Sequence, residues 1–194
     1  MKSTAVITRG DEDEDPVSRK SRVLRLARSR RPVESFADRP VPPDAIQALL
    51  DCARHAHSAS EAQPWRFVAV QQAMTVHRLA EAAFNDPRLR SAPLVIVACA
   101  RVHSHVSGTG RPSYPVDLAA ATQSMVLAAE EMGLGTCWIT GYRESDVRDA
   151  LDVPRDVPVV AMLAIGYAEE LRERPEREPV ENVVAWEEWD RESR

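Results

Sequence analysis

AAATQSMVLAAEEMGLGTCWITGY, residues 119–142, contains a helix, its stop and the strand that follows. Read back to Val116, the residues Leu118, Ala121, Thr122, Met125, Ala129 and Met132 recur at the spacing of one helical face. The pattern predicts a helix over Val116–Met132. Gly133 then stands where a left-handed residue ends a helix, and Leu134 supplies the apolar contact that goes with such a stop. TCWITG continues as a short strand running into a turn. A helix that must bury a face, followed at once by a strand, requires a sheet for both to pack on.

Working outward, the same alternation repeats. Downstream, Glu144–Leu151 reads as a short helix and VPVVAMLAIGY (157–167) as a final long strand. Upstream, PLVIVACA (93–100) is a continuous apolar run, the pattern of a strand covered on both faces. Before it, a helix passes through Val76, Leu79, Ala80 and Ala83, and WRFVAV (65–70) reads as a strand. Pro43 and Asp44 open a helix carrying Ile46, Leu49, Leu50 and Ala53, which leads into the polar loop 57–64. An amphipathic, arginine-rich helix over residues 17–29 ends before Pro32, which cannot continue it. Residues 103–113 read as a loop. Helices and strands around one sheet indicate an α/β or α+β sandwich.

The ends differ from the middle. Residues 1–16 include RGDEDED and read as a disordered acidic tail, leaving 17–194 as one domain. From Ala168 the chain is charged and proline-broken, yet it carries Trp186 and Trp189. Each indole can bury about 200 Å², so the arm 168–194 is expected to pack on something, a second subunit being the natural choice.

Composition narrows the function. The 194 residues carry a formal net charge of −5, with 44% hydrophobic and 28% charged residues. That balance disfavours a general nucleic-acid binder, and no apolar run is long enough for a membrane helix. A cytoplasmic protein is expected. Cys52, Cys99 and Cys137 form no C-x-x-C pair, so neither a disulfide framework nor a zinc ribbon is expected. His103 and His105 lack further ligands at metal spacing. Gly108-Thr109-Gly110 lacks the strand-to-helix context of a nucleotide loop. No G-x-S-x-G elbow, no phosphate loop and no other protein nucleophile stands out. The reactivity of an enzyme with this sequence is therefore expected to come from a cofactor.

Three segments together carry a family resemblance: RRPVESF (30–36) with PVPPDAIQALLDCARHA after it, HSASEAQPWRFVAV (57–70), and residues 119–142 leading to the closing IGY (165–167). In this order they resemble the FMN-dependent nitroreductase family, from about Ser29 to Trp189. The resemblance implies an α+β three-layer sandwich, a central mixed sheet flanked by helices, in a homodimer with an exchanged C-terminal arm. The long helix 116–132 would pack across the two-fold axis. FMN would lie in clefts at the dimer interface. Arg30, Arg31 and Pro32 fall where the family holds the flavin phosphate and ribityl chain, with Arg177 near its late basic residue. His57, Ser58, Ala59 and Glu61 match the loop laid along the flavin ring by the other subunit. Thr140 and Gly141 match the turn whose main-chain N–H approaches the reactive ring nitrogen.

Several positions depart from the family pattern: Pro32 stands for a serine, Glu34 for a basic residue, and His57–Glu61 for a P-S-x-G-N loop. The implied activity is NAD(P)H-driven ping-pong reduction of a nitroaromatic, quinone or similar acceptor, with no side chain obliged to act as acid or base. Two alternatives stay open, namely an oxygen-coupled flavin dehydrogenase of a peptide-derived natural product and a cofactor-free binding protein on the same fold. Residues 101–116 are the expected cover over the flavin.

Overall fold

The computed structural model describes residues 21–101, 110–174 and 176–189. The expected acidic tail, the first residues of the arginine-rich helix, and His103, His105 and Gly108–Thr109 of the expected cover lie outside them.

Four strands form the central sheet: β2 (Trp65–Val70), β3 (Leu94–Ala100), β4 (Gly135–Ile139) and β5 (Val159–Gly166), in the order β2-β3-β5-β4. All three ladders are antiparallel. Every residue of β3 is buried, because helices cover both faces. Val95, Val97 and Cys99 point into one apolar cluster, and Leu94, Ile96, Ala98 and Ala100 point into the other. The first cluster is filled by α3 (Ala73–Ala82), α4 (Pro87–Arg90) and α6 (Glu144–Leu151). The second is filled by α2 (Pro43–Arg54) and α5 (Tyr114–Glu131). The result is the three-layer α+β sandwich expected.

The end of α5 follows the expected chemistry. Gly133 has φ +70°, Leu134 donates its N–H to Ala129 O at 2.8 Å, and Gly133 donates to Glu130 O at 3.1 Å. These paired bonds are the hydrogen-bond signature of a glycine-terminated helix. Two residues on, Gly135 allows a close approach: a Cβ there would run into Val33 Cγ2.

Two elements differ from the sequence reading. Residues Val33–Phe36 form β1 and Ala168–Leu171 form β6, which pair antiparallel in a small second sheet. The strand 159–166 is therefore not the last. Parallel pairing among the described residues is confined to one bridge, Pro32 to Thr136, which ties this small sheet to β4. Helix α1 (Arg22–Ser29) docks on the C-terminal turn of α5 through an Arg22–Glu131 ion pair and a bond from Ser29 Oγ to Glu130 Oε1 of 2.6 Å. Cations are well placed beside the negative end of a helix.

Asp86 caps α4. Its Oδ1 accepts from the N–H and the Nε of Arg88, both at 2.9 Å, and its Oδ2 accepts from the Arg88 guanidinium at 2.5 Å. Burial alone would raise the Asp86 carboxyl, but the hydrogen bonds from Arg88 prevail and hold it below the usual carboxylate range. A lowered folded-state value gives stability that is present above the unfolded value of about 3.9 and lost as pH falls through the folded one. Asp86→Asn is expected to cost about 1–2 kcal/mol at pH 7, since charge-assisted bonds are replaced by neutral ones. In urea melts the gap to the parent protein should close below about pH 4.

Candidate functional site

Arg30 to Pro32 form the first half of the candidate site. The helix α1 ends as Arg30 donates its N–H to Leu26 O, and Pro32 then commits the chain to an extended path. The Pro32 carbonyl accepts the N–H of Arg172 at 3.0 Å, while the residue bridges to Thr136 on its other side. Arg31 is exposed and Arg30 half-buried. The Nε of Arg30 is fully buried and has no hydrogen-bond partner. A buried cationic donor left without an acceptor is costly in a folded protein. An anion held at Arg30 and its exposed neighbour Arg31 would meet that charge.

Glu34, which stands where a positive charge was expected, does not oppose that group alone. Its Oε1 lies 3.4 Å from Arg172 Nε, and it also contributes to the field around Arg88. Arg88, Asp86, Arg30 and Glu34 all act on the buried Cys137 thiol. Burial pushes this thiol up, and Arg88 and then Arg30 partly pull it back. The thiol of Cys99 is pushed up to about 11, chiefly by burial. All three cysteines are free, and the upward shifts of Cys52, Cys99 and Cys137 keep them protonated rather than nucleophilic.

From the bridge at Thr136, the outer edge of β4 runs to Thr140 and Gly141, a span of about 14 Å for four extended residues. Thr140 and Gly141 are exposed. A Cβ built on Gly141 would meet nothing within 4 Å. The glycine is thus not required by the packing of its own chain, and the main chain there is open to a ligand. Behind the turn, Tyr142 Oη donates to Val159 O at 2.8 Å and Arg143 N–H donates to Ala82 O at 2.9 Å. Both bonds fix the turn to the sandwich.

The loop 57–63 forms the other half. His57 and Glu61 are exposed, Ala59 half-buried, and Ser58 buried. Ser58 Oγ accepts the N–H of Gln63 at 3.0 Å, and the Ala59 N–H donates to Asp117 Oδ1 at 2.9 Å. The loop enters β2, which is the sheet edge opposite β4. Trp65 pairs with Ala100, while Ile139 pairs with Met162, so the loop and the 140–141 turn share one end of the sheet. Three strand spacings, about 14 Å, separate them. One protomer therefore joins Arg30, Arg31 and Pro32 to the β4 edge and leaves His57–Glu61 on the far side. Arg177 is exposed on the arm and makes no hydrogen bond or ion pair to another described residue.

Arg172, Asp117 and Arg88 escape the sequence reading. Arg172 lies within a charged run, and Arg88 on a four-residue helix. Asp117 stands in the first turn of α5, where an acidic residue is ordinary for dipole reasons and carries no further signal.

Comparison with known proteins agrees with this fold. The chain matches the Nitroreductase family over residues 27–88 and 71–167. It is 31% identical over 175 residues to 5,6-dimethylbenzimidazole synthase of Rhodospirillum rubrum, covering 77% of this chain and 83% of the synthase. It is 27% identical over 172 residues to FMN reductase (NADPH) of Bacillus subtilis, covering 80% of this chain and 69% of the reductase. The structure superposes on that of NfrA1 from B. megaterium with a TM-score of 0.80 at 26% identity, covering 88% of this chain and 76% of the other. The described residues hold no helix long and apolar enough to cross a membrane and no cluster able to ligate a metal. With the family matched over most of its length and its three-layer sandwich in place, this chain belongs to the nitroreductase family and is an oxidoreductase.

Proposed function

We propose that the protein is a homodimeric, FMN-dependent reductase that takes hydride from NADH or NADPH and reduces a nitroaromatic, quinone or similar conjugated acceptor. The family and the FMN reductase (NADPH) relative support a flavin and a nicotinamide. The observation that carries the reading is the buried, unpartnered Nε of Arg30 at the head of an open strand edge. Arg31 is its immediate neighbour, and the edge ends at a glycine with free space around it. These residues fit a phosphate at one end and a flat ring at the other.

When bound, FMN supplies the two-electron chemistry that no side chain here offers. Arg30 and Arg31 hold the phosphate through charge-assisted hydrogen bonds, for which the guanidinium fork is suited. Pro32 keeps the strand extended, and Arg172 offsets the Glu34 carboxylate beside it. The exposed main chain at Thr140 and Gly141 would offer N–H donors to the reactive end of a bound flavin ring, favouring negative charge there. His57, Ser58, Ala59 and Glu61, about 14 Å across the sheet from the 140–141 turn in one protomer, would reach the ring from the other subunit. Arg177, exposed on the arm, would add a further cation for the phosphate. The arm supports the dimer, since Trp186 is 84% and Trp189 79% exposed in the single chain, an unfavourable state for indoles.

Steady-state kinetics test this reading. With FMN supplied, oxidation of NADH or NADPH should depend on a quinone acceptor and give parallel double-reciprocal lines. Failure of both nicotinamides to be oxidised, with FMN demonstrably bound, would contradict it.

A further inference from the structure

Asp117 is 4% exposed and stands in the first turn of the long helix α5. Its Oδ1 accepts the Ala59 N–H at 2.9 Å, while its Oδ2 is buried and has no hydrogen-bond partner. A buried carboxylate oxygen without a partner costs stability. Stability of the helix alone therefore does not account for an aspartate here. What it grips is unusual. In the loop that follows, Ser60, Glu61 and Gln63 have φ of 51°, 54° and 44°, and none of them is glycine. Left-handed conformations at such residues are disfavoured and persist only where the surroundings over-determine them. The anchors are few: the Asp117–Ala59 bond, the Ser58–Gln63 bond at 3.0 Å, and two turn bonds from Glu61 and Ala62 to Ser58 O and Ala59 O.

We infer that Asp117 is the positioning residue of the cofactor loop: its carboxylate clamps the Ala59 main chain and so holds residues 58–63 in the shape that lies along the flavin. The inference rests on the reading of that loop as a flavin contact. Burying an acceptor at the cost of an idle oxygen is a local rule broken at a functional site rather than in the bulk of the fold. Because Asp117 sits on α5, the loop is tied to the helix expected at the two-fold axis, and cofactor contact is linked to the assembled dimer.

The test compares Asp117→Ala, Asp117→Asn and Ala59→Pro in the full chain. Asparagine retains an accepting oxygen. Proline at position 59 removes the donor, and Ser58 is already extended at φ −139°, ψ 150°, as the residue before a proline must be. Because its Cδ would also press on the Asp117 carboxylate that accepted the bond, it is read beside the double variant, in which that carboxylate is gone. In protein freed of cofactor, amide hydrogen exchange at residues 60–63 should accelerate about tenfold or more in the alanine and proline variants and stay near parental in the asparagine variant. In the same series, FMN should bind at least tenfold more weakly, with an altered visible circular dichroism band, in the first two only. The double variant Asp117→Ala/Ala59→Pro should be no worse than either single one.

Unchanged exchange in the alanine and proline variants would overturn the clamp. Faster exchange with parental FMN affinity and spectrum would overturn its role in cofactor positioning, leaving a structural tie. Failure of the parent protein to take up FMN would instead overturn the cofactor reading, and the exchange data would still report on the clamp. Should Asp117→Ala not fold, Ala59→Pro and Asp117→Asn decide the matter.

Discussion

Replacing Arg30 and Arg31 together with alanine should abolish practical FMN binding, weakening it by about 10²- to 10⁴-fold, because each lost charge-assisted bond is worth about 1.5–3 kcal/mol. The two residues are not equal. Arg31 is exposed, so its bonds compete with water, and Arg31→Ala alone should account for the smaller share. Arg30 has a buried Nε with no acceptor in its own chain, so it gains most when an anion arrives. The same geometry sets an internal control. Arg30→Ala removes no satisfied hydrogen bond at that nitrogen, so the urea midpoint of cofactor-free protein should hardly move while affinity falls. Fluorescence titration of FMN against both single variants and the pair provides the reading. Affinity within threefold of the parent would remove these arginines from the phosphate site.

The second large effect concerns the arm. Trp186→Ala with Trp189→Ala should shift the protein from dimer to monomer at micromolar concentration. Each indole can bury about 200 Å², worth up to about 5 kcal/mol by area. Ordering of the side chains and of the arm takes part of that back, so a weakening of dimerisation by about 10³-fold or more is expected. Both indoles are largely exposed in the single chain, and Val180 and Val183 are more than half exposed beside them. The substitutions should therefore leave the protomer fold intact, with far-ultraviolet circular dichroism unchanged. On the proposed function FMN affinity should fall in parallel, since the loop 57–61 would reach the flavin across the interface. Sedimentation velocity over a concentration series decides this. A variant as dimeric as the parent would place the interface elsewhere.

How much of this was legible in the sequence depends on the range of the interactions. The helix α5, its stop at Gly133 and the doubly buried strand β3 all follow from periodicity and local backbone chemistry, and the structure has them where they were expected. The pairing of β1 with β6 was not legible. Residues 168–171 read AEEL and are exposed throughout, so nothing in their pattern distinguishes a short strand from a charged linker. The role of Glu34 was equally hidden: alone it reads as a charge of the wrong sign, and only folding places Arg172 against it. The loop at 60–63 also defeats local rules, because left-handed residues are signalled by glycine or asparagine and this loop has neither. The order of motifs was legible at the site. The division of its two halves between opposite sheet edges was not, since that depends on strand order.

On the proposed function, a dimer of this chain binds FMN between its protomers, with Arg30 and Arg31 on the phosphate. Gel filtration of the purified protein with added FMN, followed at the protein and flavin absorption bands together, tests it most directly. Flavin absorbance that travels with a dimer at one FMN per protomer is the predicted result. A protein that emerges colourless after incubation with excess FMN would contradict the account.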